Sequence, residues 1–142
     1  MNRIDTETGY IYLGNVVITP DKKLDDYKEY EKAGLVSIND LGEAGVIVKL
    51  VQLSVSNGIK AEVTVYIDSA YNITSIYIVP KIHNSKRIVS SKKWIAGMIE
   101  NCNVDESKDP FFVKYSWGYV SADYDYDPHN GQTGGNIKIR YD

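Results

Sequence analysis

Apolar and polar side chains alternate strictly through the middle of this chain. From Ile59 to Asp68, the residues Ile59, Ala61, Val63, Val65 and Ile67 share one face, and Lys60, Glu62, Thr64, Tyr66 and Asp68 share the other. A period of two belongs to a β-strand with one face on a core and one in solvent. The run before it, Val46 to Val55, is largely apolar and reads as a second strand. Asn57-Gly58 lies between the two and signals a hairpin, since both residues accept the positive φ of a tight primed turn. A turn at 69–72 leads into a third strand, Ile73 to Val79, which ends at Pro80. Near the start, Tyr10-Ile-Tyr-Leu and Val16-Val-Ile-Thr form two more strand-like runs around Gly14-Asn15, a connection suited to a type II′ turn.

Helical spacing occurs twice. Thr19-Pro20-Asp21 has the composition of a helix start: a capping hydroxyl, a proline at the first helical position and an acid at the positive end of the dipole. That helix is expected to run to about Ala33 and stop at Gly34, with Leu24, Tyr27 and Tyr30 as its apolar stripe. Ile82 to Val89 reads as a loop, after which Ser90 or Ser91 caps a second helix through about Cys102. Trp94, Ile95, Met98, Ile99 and Cys102 make its apolar face, and Lys92, Lys93, Glu100 and Asn101 lie opposite. A polar link with a proline stop at Pro110 precedes a closing hairpin. On the second strand of that hairpin Ile137, Ile139 and Tyr141 face inward while Lys138 and Arg140 point out. Hairpin-sized connections favour antiparallel pairing over βαβ crossovers. The expected fold is α+β: one domain over 1–142, with a single antiparallel β-sheet in ββαβββαββ order and two helices packed on one side.

At 142 residues the chain can bury a core without covalent staples. Its one cysteine, Cys102, cannot form an internal disulfide. No segment reads as a signal peptide or a membrane span, so the expected location is cytoplasmic, with no membrane partner. The net charge of −3 disfavours generic nucleic-acid binding and leaves room only for a local basic patch. Twelve tyrosines against two phenylalanines supply rings with a polar tip, which suit half-exposed sheets and binding surfaces.

Candidate chemistry is sparse. Asp123, Asp125 and Asp127 alternate in an acidic run expected to be a loop. The spacing fails as a calcium loop, because Pro128 and Gly134 stand where an EF-hand needs glycine and a bidentate glutamate. His83 and His129 have no spaced partner, and Cys102 sits alone on an apolar helical face. There is no nucleophile elbow and no phosphate-binding glycine loop. The expectation is a protein without catalysis, metal, cofactor or small-molecule substrate. Basic residues gather at Lys81–Arg87 and Lys92–Lys93, the basis for an alternative reading as a nucleic-acid-binding β-sheet module. Acidic residues Asp21, Asp25, Asp26, Glu29 and Glu31 stud the first helix.

Both ends of the chain carry a resemblance. Thr8-Gly-Tyr-Ile-Tyr-Leu-Gly-Asn-Val-Val-Ile-Thr-Pro with Leu24, and Lys114-Tyr-Ser-Trp-Gly-Tyr-Val-Ser-Ala-Asp-Tyr-Asp with Asn136-Ile-Lys-Ile-Arg-Tyr, resemble a group of small bacterial proteins. That group includes immunity proteins of contact-dependent growth inhibition and related polymorphic toxin systems. The resemblance implies a cytoplasmic antidote that binds the C-terminal domain of a cognate toxin, often a nuclease, and has no activity of its own. One branch of the group accepts a toxin hairpin by strand addition, a mode that needs an exposed sheet edge. The run Asp-Tyr-Asp-Tyr-Asp is longer here than the group's Tyr-Asp. Asp123, Tyr124, Asp125, Tyr126 and Asp127 are therefore the expected partner-binding residues.

Overall fold

Strand alternation carries the architecture, and its parity decides which side chains meet the core. The computed structural model describes residues 2–50, 53–54, 60–82, 86–100, 102, 104, 111–127, 129 and 131–142. It describes their side chains except at 53, 54, 86, 125–127 and 131–134. The first half comprises β1 (Arg3–Ile4), β2 (Ile11–Leu13), β3 (Val16–Ile18), helix α1 (Leu24–Lys32), β4 (Val36–Asp40), β5 (Val46–Leu50) and β6 (Leu53–Ser54). The second comprises β7 (Lys60–Ile67), β8 (Ile73–Pro80), helix α2 (Lys86–Met98), β9 (Phe111–Tyr115), β10 (Gly118–Asp127) and β11 (Gly131–Tyr141).

The strands form two sheets, which corrects the expectation of one. The larger runs β4-β5-β7-β8-β11-β10-β9, with β6 also paired to β7, and all of its described pairings are antiparallel. The smaller is β1-β2-β3. Its strands are two or three residues long, and their Ile4, Ile11, Leu13, Val16 and Ile18 are all buried in the common core. Such short strands bury apolar side chains best by packing as a second layer on the large sheet.

Register aligns one row of side chains across the large sheet: Ile38, Val48, Val65, Ile76, Ile139, Val120 and Val113, each opposite the next. All seven are β-branched, and Val48, Val65, Ile76, Ile139 and Val120 are fully buried. Branched side chains fit a pleated, covered surface. A slip of one residue in any strand would turn its share of this row to solvent, so the register is strongly determined. Helix α2 covers the row, packing on β8, β10 and β11 through Ile88, Trp94, Ile95, Met98 and Ile99. Gly135 of β11 lets it approach, because a Cβ there would sit 2.6 Å from the side chain of Ile88. Helix α1 adds Tyr27 to the same core.

The ends of the chain meet at one place. Tyr141 donates its hydroxyl to Gly9 O at 2.6 Å, and Trp117 donates its indole N–H to Thr6 O at 2.9 Å. The Trp117 ring stacks on Tyr115, with centroids 5.3 Å apart, and fills the space a side chain at Gly9 would need. Gly118 follows with φ +153°, where a Cβ would strike the carbonyl of Arg140. Gly9, Trp117, Gly118 and Tyr141 are thus architectural, joining the small sheet to the last strands.

Several expected boundaries move. Helix α1 starts at Leu24 rather than Pro20, because 19–22 closes a turn through Lys22 N–H and Thr19 O. The helix is capped instead by the Asp26 carboxylate, which accepts from Lys23 N–H at 2.8 Å. It ends at Lys32, with Ala33 as its C-cap before Gly34, close to the expected stop. Strand β4 lies where no strand was read, and the described residues of the run from Val46 fall in β5 and β6. The Asn57-Gly58 turn lies outside the described residues. Helix α2 begins at Lys86, so Arg87–Val89 are helical and Ser90 and Ser91 are interior rather than caps. Ile88 extends the apolar stripe one turn upstream of Ser91 and Ile95, which favours the longer helix. The same rotation leaves Lys92 only 2% exposed, not opposite the core. Finally, Ser116-Trp117 is a turn that makes the closing unit a three-strand meander.

Candidate functional site

The acidic segment is strand, not loop. Asp123 to Asp127 pair along β11: Asp123 with Asn136, Tyr124 with Gly135, Asp125 with Gly134, Tyr126 with Gln132 and Asp127 with Gly131. An irregularity between Asp125 and Tyr126 is absorbed in the ladder. Consecutive strand residues face opposite ways, so Asp123 lies on the outer face and Tyr124 on the inner. The Tyr124 ring is half-buried against the core beside Ala122 and Ile137. The side chains of Asp125, Tyr126 and Asp127 lie outside the described residues. The two described members of the expected partner-binding run therefore sit on opposite faces of the sheet.

A different surface comes together on the outer face of the large sheet. Strands β1–β3 and helices α1 and α2 all contribute to the core on its inner side. The polar parity of each strand points the other way, and register places its residues in rows. Lys49, Thr64, Tyr77, Lys138, Ser121 and Phe112 make one row, and Ile47, Tyr66, Ser75, Arg140, Tyr119 and Lys114 the next. Tyr66 packs edge-on against Tyr77, with centroids 5.5 Å apart, and Tyr119 packs against Phe112 at 5.0 Å. Phe112 is 58% exposed and Tyr66 38%. Large apolar rings left this open on a sheet face make it the candidate contact surface.

Lys138 stands between the two ring pairs. Its ammonium lies 5.6 Å from the centre of the Tyr77 ring. Partial burial pulls its pKa down, but donation to the Tyr77 and Tyr119 hydroxyls outweighs that and holds it above the usual lysine value. The charged form is thus the favoured one. Beneath it Ser121 is buried, and its hydroxyl finds no hydrogen-bond partner. Arg140, opposite Tyr119, is exposed. Lys49 pairs with Glu62 at 3.7 Å and Lys114 with Asp142 at 2.5 Å, both partly exposed and so of little weight for stability. Among the described residues facing outward, Lys49, Lys60, Lys114, Lys138 and Arg140 stand against Glu62, Asp123 and Asp142. The face is cationic on a chain whose net charge is −3.

At one end of this face Leu41, Ala44, Ile47, Tyr66, Thr74 and Tyr77 line an open hollow of about 480 Å³. The sheet edges differ. Ile38 N–H of β4 donates to the Glu31 carboxylate at 3.1 Å, so α1 obstructs that edge. Strand β9 is the last strand at the other end, and no described residue pairs with its outer side.

The described part of the basic cluster is dispersed. Arg87 donates to Gly135 O at 2.8 Å, Lys92 is buried, and Lys81 and Lys93 are exposed; His83 and the side chain of Lys86 lie outside the described residues. His129 is exposed. Cys102 is half-buried, and burial pushes its thiol pKa up, away from the thiolate a nucleophile requires. Among the described residues no group of three His, Cys, Asp or Glu side chains is arranged to hold a metal ion, and no helix is long and apolar enough to cross a membrane.

Sequence reading placed Tyr66, Lys138 and Arg140 on outward faces singly. Their assembly with Tyr77, Tyr119 and Phe112 depends on strand order and register, which no local signal encodes. Comparison with protein-family models, curated proteins and solved structures finds no match.

Proposed function

We propose that this chain is a cytoplasmic immunity protein that binds the C-terminal domain of a cognate toxin, a nuclease in the leading case, and neutralises it without catalysis of its own. The observation that carries this reading is the open outer face, where Tyr66, Tyr77, Tyr119 and Phe112 surround Lys138 and Arg140. Tyrosine, phenylalanine and arginine are the residues that interface cores favour. A sheet face is rigid, so little side-chain and loop order is lost on docking. The resemblance of the chain ends supports the same reading, since its residues Gly9, Trp117, Gly118 and Tyr141 form one packed junction. Inhibition by occupancy requires a stable complex. Co-expression with the toxin domain encoded by the adjoining gene should rescue growth and yield a co-purifying pair; failure of both would sink the reading.

A second reading, a nucleic-acid-binding sheet module, is favoured by the same cations lying among aromatic rings. Sheet platforms that bind single strands combine stacked bases with a positive track for the backbone. It requires oligonucleotide binding that weakens steeply with salt. A flat titration at low salt removes it.

A further inference from the structure

We infer that the outer sheet face is the toxin-contacting surface and that the surface it takes is an acidic patch of that protein. This rests on the immunity reading and replaces the acidic hairpin as its contact site. Charge is the first argument. Lys138 and Arg140 lie at the centre of the face, Lys49, Lys60 and Lys114 flank them, and Glu62, Asp123 and Asp142 oppose them among the described outward residues. A basic partner surface would be repelled there, and an acidic one is steered in.

Geometry separates a protein from a nucleic acid. The rings are already paired: Tyr66 meets Tyr77 edge-on, Lys138 lies over Tyr77, and Phe112 leans on Tyr119. That leaves fewer free ring faces for base stacking. Two flanking cations are held by Glu62 and Asp142, which leaves a poor track for successive phosphates. A carboxylate patch needs less. The planar guanidinium of Arg140 can grip one carboxylate with two parallel bonds, and Lys138, its ammonium 5.6 Å from the centre of the Tyr77 ring, can take a second. Phe112 and Tyr66, the most exposed rings of the face, supply apolar contact at its two ends.

The test titrates the purified chain against the toxin domain encoded by the adjoining gene, with Arg140→Glu, Phe112→Ser and, as a control on α1, Lys28→Glu. Arg140, Phe112 and Lys28 are all exposed, and matching thermal melts verify that the variants fold. Arg140→Glu should weaken binding by about 30-fold or more, largely through slower association, with Phe112→Ser weaker in the same direction. Lys28→Glu should stay within about twofold of the parent. Wild-type affinity in both face variants overturns the inference and leaves the immunity reading standing. A parent chain that neither binds the domain nor rescues growth overturns the reading itself. Binding of a short oligothymidylate that Arg140→Glu abolishes assigns the face to nucleic acid instead.

Discussion

Tyr141 donates its hydroxyl to Gly9 O across 132 positions of sequence, at 2.6 Å and in the buried core. The same hydroxyl lies 3.4 Å from Ile18 O, so one phenol ties the last strand of the large sheet to both ends of the β2–β3 hairpin. Tyr141→Phe keeps the ring and removes the donor, leaving a buried carbonyl with less than its share of bonds. The expected loss is about 1–3 kcal/mol. Urea denaturation should show a lower midpoint with an unchanged slope.

Gly118 and Gly14 both have positive φ, yet only one is crowded. A Cβ at Gly118 would collide with the Arg140 carbonyl, whereas nothing lies within 4 Å of one at Gly14. Gly118→Ala should therefore exceed the roughly 1 kcal/mol of backbone strain expected for Gly14→Ala. Denaturant midpoints of the two variants check the order; equal losses would mean that β10 shifts to relieve the clash.

The two faces of the large sheet should respond oppositely to truncation. Ile139, in the centre of the buried row, should cost about 2–5 kcal/mol when changed to alanine. Phe112→Ala, on the open face, should stay within about 0.5 kcal/mol. A large loss at Phe112 would show that its ring serves the fold rather than a partner.

Alkaline stability depends on Tyr27 and Tyr141. Burial raises both phenols well above 10.0, and neighbouring groups add to it. Unfolded tyrosines ionise near pH 10, so above that pH the unfolded state binds fewer protons than the folded one. Stability should be complete below pH 10 and fall as pH rises further. Tyr30 opposes this weakly: burial raises it, but the bond from Lys22 and the Val17 N–H it accepts hold it lower.

Tyr27 permits a sharper form of that test. Its hydroxyl is buried without a hydrogen-bond partner. Tyr27→Phe should raise stability by about 1 kcal/mol at neutral pH and flatten the decline above pH 10. Urea midpoints between pH 8 and 11 measure both effects, and a destabilised variant would mean the hydroxyl is satisfied in solution.

Much of the fold was legible in the chain because burial acts locally through strand parity. Ala61, Val63, Val65 and Ile67 are buried as their alternation requires, and Trp94, Ile95, Met98 and Ile99 face the core at helical spacing. Errors came where long-range contacts chose between local options. Asp123–Asp127 have turn chemistry, yet extended pairing with β11 satisfies their backbone in a ladder that the composition did not announce. Lys86–Val89 carry loop-like neighbours, yet Ile88 reaching Gly135 makes another helical turn worthwhile. The short β1–β3 strands became a second layer because that arrangement buries their apolar side chains.

By itself, then, the sequence determined the inward and outward residues of the strands it announced, the two helices and the α+β class, all set by periodicity over a few neighbours. Only the tertiary structure decided that there are two sheets, that both chain ends lock at Gly9 and Tyr141, and that Tyr66, Tyr77, Tyr119 and Phe112 share one cationic face. Those facts follow from strand order and register. Both are selected by the burial of a whole row of side chains at once, a sum over distant segments that no local stretch of sequence contains.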